Sequence, residues 1–280
     1  MEMINEEELK KKIEAFKRQG VDKIHIVSDF DNTLTASFVD GQRVPSIISV
    51  LRDGNYLTKD YAEKAHALYD KYHPIETNHN LSIEERKKAM YEWWAEHFKL
   101  LIKSGLNRRD IKKVVESGKV KLREGIPEIL NFLHNHNIPL IIISGSGLGG
   151  DSISMFLKKE GKLYSNIHIV SNSFEFDEKG NAVAVKEPII HGMNKDETTL
   201  HNLPFFNEIK HRKNIILLGD SLGDPDMVTG FNYENIIKIG FLNEKVKESL
   251  QKYSELYDVL ILNDGNFDYI NSLLKQITPK

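Results

Sequence analysis

The sequence predicts an α/β protein in which a parallel sheet carries helices on both faces and a helical segment interrupts the alternation. Short β-branched apolar runs recur along the chain, as expected for strands that are buried on both faces. Helical patterns lie between most of these runs, and such repetition is typical of a parallel sheet. Residues 37–122 break the repetition because they contain almost no strand signal.

The apolar runs place the strands of the predicted sheet. In chain order they cover residues 23–28, 138–144, 167–171, 214–218, 236–239 and 259–262. A polar stretch with turn-forming residues at 177–181 comes after the third run and is followed by Val183 and Val185, which alternate as in a strand. This pattern predicts a β-hairpin-like excursion at the edge of the sheet.

Helical signals fill the interrupting segment. One helix is predicted over residues 58–72, and Glu76 then follows a proline in a loop-like stretch. Ser82 and Glu85 form a capping-box pattern at the head of a long amphipathic helix. The apolar stripe of that helix consists of Met90, Trp93, Trp94, His97, Phe98 and Leu101.

A further helix start is marked by Asn107 and Asp110. These patterns therefore predict a group of helices inserted into an α/β chain. We predict a helical cap domain at residues 37–122, inserted into a core domain formed by residues 1–36 and 123–280.

Composition excludes several classes of function. The 280 residues carry 38 Lys and Arg against 41 Asp and Glu, a formal net charge of −3, so neither nucleic acid nor an anionic membrane is expected as a partner. The absence of cysteine excludes disulfides, thiolate metal sites and cysteine nucleophiles. The apolar runs are too short for a bilayer and residues 1–12 do not resemble a signal peptide, so we expect a cytoplasmic protein, by default a monomer.

Two aspartates, Asp29 and Asp31, follow the first predicted strand directly. Ligands of open α/β sheets bind at the carboxyl ends of the strands, and side chains two residues apart can turn toward one site. Crowded carboxylates need a cation or a shared proton, and Mg²⁺ prefers such oxygen ligands. The alternative is an Asp-rich turn that caps the next segment.

Three further strand-end or loop features carry chemistry. After the second predicted strand, Ser144 begins the run S-G-S-G-L-G-G, whose backbone N–H groups before a helix can hold phosphate; the alternative is a flexible turn. Lys195 offers a cation, although most lysines are simply exposed. Asp220 and Asp224 follow the strand at 214–218, where the alternative is an ordinary Asp-Gly turn.

In chain order these motifs are D-x-D-x-T, Ser, Lys and G-D-x-x-x-D, which resembles the haloacid dehalogenase superfamily of phosphohydrolases. The resemblance implies a Rossmann-like parallel-sheet core of the haloacid dehalogenase type. It also implies that Asp29 is the nucleophile and Asp31 the general acid and base. Ser144 and Lys195 would bind phosphate, and Asp220 would hold Mg²⁺.

From about residue 21 onward, the chain is similar to a narrower group, the cytosolic type III or pyrimidine 5'-nucleotidases. The motifs that carry this similarity are K-Y-H-P-I-E at 71–76, Y-E-W-W at 91–94, L-R-E-G at 122–125, S-N at 171–172, F-D-E at 176–178, N-K-D at 194–196, I-L-L-G-D-S at 216–221 and K-I-G-F-L-N at 238–243.

The family resemblance assigns further roles. Glu76 matches a cap residue that contacts the nucleobase, while Ser144 and Gly145 match the phosphate-binding pair. The chain departs from the family at two places. His97 stands where the family has a substrate-binding serine, and the run S-G-S-G-L-G stands where the family often has S-A-G-I-G. Five aromatic residues of the insert offer faces for a base, although we expect at least three to form the cap's own core: Tyr69, Tyr72, Trp93, Trp94 and Phe98.

The implied function is Mg²⁺-dependent hydrolysis of nucleoside 5'-monophosphates through an aspartyl-phosphate. A pyrimidine nucleotide such as UMP or CMP is the expected substrate, and a methylated guanosine monophosphate or a deoxynucleotide is the alternative. The implied Mg²⁺ ligands are Asp29, Asp220 and the backbone carbonyl of Asp31, with Asp224 in support. Transfer of the phosphoryl group to a nucleoside is a side activity that the resemblance leaves open. The alternatives are a phosphatase of another small phosphomonoester such as phosphoserine, a phospho-acceptor signalling domain, and an inactive nucleotide-binding module.

Overall fold

The computed structural model describes residues 1–78, 80–195, 203–229 and 231–278. The strands are β1 Glu2–Met3, β2 Ile24–Ser28, β3 Phe38–Val39, β4 Gln42–Arg43, β5 Leu140–Ser144, β6 Ile167–Ser171, β7 Phe174–Phe176, β8 Ala182–Val185, β9 Asn214–Gly219, β10 Asn235–Leu242 and β11 Val259–Leu262. The α-helices are α1 Glu6–Gln19, α2 Ile47–Asp53, α3 Tyr61–Glu76, α4 Ile83–Lys103, α5 Arg108–Glu116, α6 Ile126–Asn135, α7 Gly149–Lys159, α8 Phe206–Ile209, α9 Val246–Ser254 and α10 Asp268–Ile277.

Seven strands form the central sheet in the order β1-β11-β10-β9-β2-β5-β6. Its strands pair in parallel except at one edge, where β1 runs antiparallel to β11. Each predicted apolar run overlaps one of these strands, so the predicted α/β class with a parallel sheet is confirmed.

Hydrophobic clusters cover both faces of the sheet, which explains why its strands are apolar at successive positions. Because side chains alternate across a strand, Ile26 of β2 joins one cluster and Val27 the other. The first cluster includes Ile129 of α6 and Ile270 of α10. The second includes Ile209 of α8.

The strand order decides where the polar strand ends meet. Strand β2 lies between β9 and β5, and all three run parallel. Their carboxyl ends therefore share one edge of the sheet. Asp29, Ser144 and Asp220 stand at or directly after these ends, so the topology brings the predicted site residues of three distant segments together.

Helices α2 to α5 lie within residues 37–122. Helices α3, α4 and α5 correspond to the three predicted helices, whereas α2 was not predicted. The structure confirms both helix starts, because Ser82 with Glu85 and Asn107 with Asp110 each form a complete capping box. The division into core and cap domains at residues 37 and 122 stays a prediction.

A short hairpin inside this segment was not expected. Strand β3 pairs antiparallel with β4 across a two-residue turn, Asp40 and Gly41, whose φ angles are 52° and 74°. Each of its strands has only two residues, so the prediction of almost no strand structure here agrees with the fold, but this hairpin was missed. Asp-Gly is a strong local signal for such a turn, because both of its central residues need positive φ.

The one hairpin that the sequence predicted, after the third apolar run, is present. Strands β7 and β8 pair antiparallel as a separate two-stranded sheet. The hairpin is fastened to the helical segment, because Asn107 Nδ2 donates to the Lys179 carbonyl at 3.1 Å and the Ala182 N–H donates to the Leu106 carbonyl at 2.8 Å. Within the described residues, no helix is both long enough and apolar enough to cross a membrane.

Candidate active site

An ion pair joins Asp29 and Lys195 at the carboxyl edge of the sheet. The Asp29 N–H donates to the Leu218 carbonyl of β9 at 3.0 Å, which fixes the backbone as it leaves β2. Lys195 Nζ donates to Asp29 Oδ1 and, at 3.3 Å, to Asp224 Oδ1. Burial alone would lower the pKa of Lys195, but Asp224 and Asp29 together raise it above its ordinary value, so the amine stays charged.

Asp224 organises the turn that follows β9. Its Oδ2 accepts the backbone N–H groups of Asp220 and Ser221, both at 2.9 Å. The close approach needs glycine at position 219, because a Cβ there would lie 2.6 Å from Asp224 Oδ2. Asp224 therefore sets the direction in which Asp220 leaves the strand.

Three carboxylates form a cluster suited to a cation. One oxygen each of Asp29, Asp220 and Asp224 lie within 4.8 Å of one another. Among the described residues Lys195 is the cation paired with them, so full ionisation would leave a net negative charge in a buried site. Burial, and then repulsion from Asp29 and Asp224, raises the pKa of Asp220 well above its ordinary value, and burial raises that of Asp29. A hard divalent cation would offset this charge, so the donor set fits Mg²⁺.

Asp31 has a different environment from Asp29. Burial raises the pKa of Asp31 to about 6, although Lys195 opposes the shift. Its Oδ1 is buried and has no hydrogen-bond partner among the described residues. The carboxyl group is therefore poised to hold a proton close to neutral pH.

The loop after β5 has the small residues that a phosphate site needs. Ser144 is 1% exposed, and its Oγ accepts the Ser146 N–H at 3.2 Å. A Cβ on Gly145 would lie 3.3 Å from the Cα of His191, so this loop packs against the backbone that leads to Lys195. The amino end of α7 follows at Gly149.

Two asparagines fix the backbone that leads to Lys195. Asn172 is 1% exposed; its Oδ1 accepts the Ile190 N–H at 2.8 Å, and its Nδ2 donates to the carbonyls of Ile190 at 2.8 Å and Ser146 at 3.3 Å. Asn194 Oδ1 accepts the His191 N–H at 2.7 Å. Both occur in motifs of the family resemblance, but these contacts could not be read from the sequence.

Glu76 lies at the end of α3, so its predicted placement in a loop is wrong. Helix α3 continues through Pro74 and ends two residues later at Glu76, so the proline lies in the last turn of the helix. Glu76 Oε2 lies 3.2 Å from His73 Nδ1, and Arg86 Nη1 donates to the Glu76 carbonyl at 3.2 Å. Met193, two residues before Lys195, packs against the cluster that joins α3 and α4.

His97 on α4 faces the loop after β5. A Cβ on Gly147 would lie 3.4 Å from His97 Nε2 and 2.9 Å from Ile48 Cγ1, so glycine is needed at this junction. Burial lowers the pKa of His97 to about 4, and the ring is neutral. Its Nε2 is buried without a hydrogen-bond partner in the described parts of the chain.

The aromatic residues of α3 and α4 mostly pack on one another. Tyr72 and Phe98 are 2% and 0% exposed. Trp93 stacks on Tyr72 with centroids 6.0 Å apart, and Trp94 stacks on Phe98 at 6.1 Å. Tyr69 is 41% exposed and stacks on His73, the neighbour of Glu76, at 4.6 Å. The expectation that at least three of these five residues serve packing agrees with these contacts.

Sequence reasoning missed a pair of tyrosines that hold the turn after β9. Tyr253 OH donates to the Asp220 carbonyl at 2.7 Å, and Tyr257 OH donates to the Ser221 carbonyl at 2.5 Å. Their rings stack with centroids 5.8 Å apart. The four-residue spacing at a helix end is the signal that could have placed both on one side.

Comparison with known proteins identifies the family. The sequence profile described as "Pyrimidine 5'-nucleotidase (UMPH-1)" matches residues 32–278. The chain belongs to this family. It is 36% identical to "7-methylguanosine phosphate-specific 5'-nucleotidase" of Gallus gallus over 95% of this chain and 91% of that protein. It is also 36% identical to "7-methylguanosine phosphate-specific 5'-nucleotidase A" of Xenopus laevis, over 99% of this chain and 96% of that protein.

Solved structures agree with this membership. The crystal structure of cytosolic 5'-nucleotidase IIIB bound to cytidine matches with a TM-score of 0.90 and 31% identity, over 99% of this chain and 93% of that chain. A haloacid dehalogenase family hydrolase of Salmonella enterica matches with a TM-score of 0.55 at 16% identity, over 92% of this chain and 73% of that chain, which shows the fold alone. The chain is thus a 5'-nucleotidase, a hydrolase with the haloacid dehalogenase fold.

Proposed function

We propose that this chain hydrolyses nucleoside 5'-monophosphates with the help of Mg²⁺, through a phosphoryl group carried by Asp29. The convergence of Asp29, Lys195, Asp220 and Asp224 at the carboxyl edge of the sheet carries the proposal. Phosphate monoesters are dianions at neutral pH, and a carboxylate nucleophile approaches them only where positive charge offsets the repulsion. Lys195 supplies part of that charge.

In the first step, an Asp29 oxygen attacks phosphorus and the bond from phosphorus to the 5'-oxygen breaks. Asp31 gives its proton to the departing oxygen, which leaves as a nucleoside hydroxyl. In the second step, Asp31 takes a proton from water, the water oxygen attacks phosphorus, and the bond to Asp29 breaks. Inorganic phosphate is released and both side chains return to their initial states.

Three groups are proposed to hold the phosphate. Lys195 pairs with its negative charge, while Ser144 Oγ and the backbone N–H of Gly145 donate from the loop after β5. We assign the Mg²⁺ ligands to Asp29, Asp220 and the backbone carbonyl of Asp31, with Asp224 in support. When bound, the ion would offset the charge of the phosphate and the carboxylates.

The base is proposed to be a pyrimidine, as in CMP or UMP, with Glu76 accepting a hydrogen bond from it and His97 lying beside the substrate. The description of the family and the cytidine bound to cytosolic 5'-nucleotidase IIIB support this choice. A second candidate is 7-methylguanosine monophosphate, because relatives that are 36% identical carry that specificity in their names. Its cationic ring suits an aromatic face such as that of Tyr69 beside a carboxylate.

We also infer a cytosolic enzyme that acts on a small molecule as a monomer. The cytosolic designation of the structural neighbour supports the location. Phosphoryl transfer to a nucleoside instead of water would need only that a sugar hydroxyl replace water in the second step. Such transfer remains part of the proposal as a side activity.

One experiment tests the proposal as a whole. Phosphate release is measured from CMP, UMP, 7-methylguanosine monophosphate, deoxynucleotides and phosphoserine, each with Mg²⁺ and with EDTA. We expect turnover of a nucleotide that needs Mg²⁺, and little turnover of phosphoserine. Phosphoserine as the best substrate, or activity that EDTA leaves unchanged, would contradict the proposal.

A further inference from the structure

A buried arginine lies beneath the loop that carries Asp31. Arg123, which follows the helical segment, is 1% exposed. Its Nε donates to the Thr33 carbonyl at 2.9 Å, and its Nη2 donates to the Asn32 carbonyl and, at 3.1 Å, to Asn243 Oδ1. The guanidinium thus holds the carbonyl groups of the two residues that follow Asp31.

The backbone at Asn32 needs this support. Asn32 has a φ of 56°, in the left-handed region that residues other than glycine adopt mainly where their surroundings hold them. Its carbonyl accepts a second hydrogen bond from Asn243 Nδ2 at 3.0 Å, and its N–H donates to Thr35 Oγ1 at 2.9 Å. Loss of Arg123 would leave this peptide with weaker constraints.

Asp264 connects Arg123 to the start of the helical segment. Its Oδ1 accepts from Arg123 Nη1 at 2.6 Å and from the Ser37 N–H at 3.0 Å, and its Oδ2 accepts the Phe38 N–H at 2.8 Å. The Arg123 N–H also donates to the Leu34 carbonyl at 2.9 Å. The buried pair therefore ties both chain connections of the helical segment to the sheet.

The Asp31 side chain depends on its backbone for placement. No described residue hydrogen-bonds its buried Oδ1. A proton donor must reach its target within about 3 Å, so an unanchored carboxyl group acts only if the peptide beneath it is fixed. The contacts of Arg123 hold the backbone of the two residues directly after Asp31.

From these contacts we infer that Arg123, paired with Asp264, is a positioning residue for Asp31 in the protonation of the leaving oxygen. The inference rests on the proposed function, in which Asp31 is the general acid. Lysine cannot take over this task, because one ammonium group cannot reach the Thr33 and Asn32 carbonyls and the Asp264 carboxylate at once.

The test compares three substrates that differ in leaving group. CMP and ribose 5-phosphate release an alkoxide that needs a proton, whereas p-nitrophenyl phosphate releases a stable phenolate. The value of kcat/KM reports the steps up to the first irreversible one, which here is formation of the phosphoenzyme. A weakened general acid therefore lowers kcat/KM for the first two substrates more than for the third.

Two variants keep the test independent of folding failure. Arg123→Lys retains the charge, and the double variant Arg123→Met with Asp264→Asn removes both charges, so that neither is left buried alone. For both we expect kcat/KM on CMP and ribose 5-phosphate to fall about 10- to 100-fold, and that on p-nitrophenyl phosphate to fall about threefold or less. Circular dichroism and thermal unfolding establish that each variant is folded.

A matched control is Arg212, a half-buried arginine at the opposite end of the strands. Its guanidinium donates to the carbonyls of Ile24 at 2.9 Å and Asn137 at 3.1 Å, so its replacement also removes arginine contacts to backbone. We expect Arg212→Lys to lower the unfolding temperature while leaving the ratio of kcat/KM values between the substrates unchanged.

Asp31→Asn separates failure of the inference from failure of the proposed function. We expect this variant to lower the ratio of kcat/KM on CMP to kcat/KM on p-nitrophenyl phosphate at least as far as Arg123→Lys does. Combining the two substitutions is expected to lower that ratio little further. If Asp31→Asn leaves the ratio unchanged, the proposed acid role is wrong and the inference fails with it. Asp31→Asn could instead shift this ratio while the Arg123 variants lower kcat/KM equally on all three substrates, or on none. That result would overturn the inference alone.

Discussion

Glu76 and Gly192 meet where the helical segment approaches the loop of Lys195. A Cβ built on Gly192 would lie 3.9 Å from Glu76 Oε1, although the two positions are far apart in the sequence. Gly192 precedes Lys195 by three residues, so the end of α3 stands beside the loop that is proposed to hold phosphate. We expect a group attached to a phosphate held there to lie near Glu76.

Replacing the proposed nucleophile tests the chemical step directly. Asp29→Asn keeps the size of the side chain but removes the attacking carboxylate, so we expect kcat on CMP to fall by about 1,000-fold or more. The fold is expected to persist because the amide can still contact Lys195. Asp151→Asn, an exposed aspartate on α7, is the control and should keep normal phosphate release. Near-normal turnover by Asp29→Asn would exclude the proposed nucleophile.

The carboxylate cluster predicts that Mg²⁺ stabilises the folded protein as well as activating it. Binding at 100 times the dissociation constant adds about 2.7 kcal/mol to the free energy of unfolding. We expect a higher unfolding temperature with Mg²⁺ than with EDTA, and a much smaller shift for Asp220→Asn. Ca²⁺ is expected to support less turnover, because Mg²⁺ holds a tighter octahedral geometry. An equal Mg²⁺ shift in wild type and Asp220→Asn would place the ion elsewhere.

The turn after β9 predicts a specific cost for Asp224→Asn. Asp224 Oδ2 accepts two backbone N–H groups, while Oδ1 faces Lys195. An asparagine has one acceptor oxygen, so it must lose either the contacts to the two N–H groups or the contact to Lys195, at a cost of about 1 to 3 kcal/mol. Urea unfolding measures this loss, and Asp226→Asn on the exposed side of the same segment is its control. A variant as stable as wild type would show that these contacts contribute little.

Buried His97 predicts a loss of stability in acid. Its pKa is lowered to about 4 in the folded protein by burial, against 6.5 for an unperturbed histidine, so the unfolded chain binds the extra proton between these values. The free energy of unfolding therefore falls as pH drops from 6.5 toward 4, by about 3 kcal/mol for this group. Above pH 6.5 the contribution is fully present.

The measurement is the free energy of unfolding of wild type and His97→Gln at several pH values. Because glutamine does not titrate, the variant should lose less stability than wild type between pH 7 and pH 4.5. The exposed His211→Gln serves as control and should follow wild type. Parallel curves for wild type and His97→Gln would show that His97 is not held neutral by burial.

The sheet could be predicted because its strands are buried on both faces and read as continuous apolar runs. The placement of Asp29, Ser144 and Asp220 at one edge then follows from parallel topology alone. What the sequence could not give are contacts set by packing between distant segments. Arg123 donates to Asp264, 141 residues away, and no local pattern marks that partner.

Two errors in the helical segment have local causes. The β3–β4 hairpin is too short to produce an alternating pattern, although its Asp40-Gly41 turn carried a signal. Glu76 was placed in a loop because proline usually ends a helix, yet α3 continues for two residues beyond Pro74. The pairing of Glu76 with Gly192 depends on how α3 docks, which sequence spacing does not encode.

The last prediction is that Glu76 selects the base and leaves the chemical step unchanged. Its carboxylate lies beside Gly192 and close to the exposed Tyr69–His73 stack, away from Asp29 and Asp220 in sequence. A carboxylate accepts hydrogen bonds from an exocyclic amine or a ring N–H of a base. Removing one such contact in Glu76→Ala should lower kcat/KM for the preferred nucleotide about ten- to a hundredfold.

Substrates without a base make this prediction selective. Ribose 5-phosphate and p-nitrophenyl phosphate cannot use the contact, so Glu76→Ala should hydrolyse both at close to the wild-type rate. Glu63→Ala, on an exposed position of the same helix, should leave all three substrates unaffected. The Arg123 variants are expected to lose activity on ribose 5-phosphate as well as on CMP. The same set of substrates therefore separates base recognition from protonation of the leaving group. Equal losses on all substrates in Glu76→Ala would instead place Glu76 in the phosphate chemistry or in the folding of the helical segment.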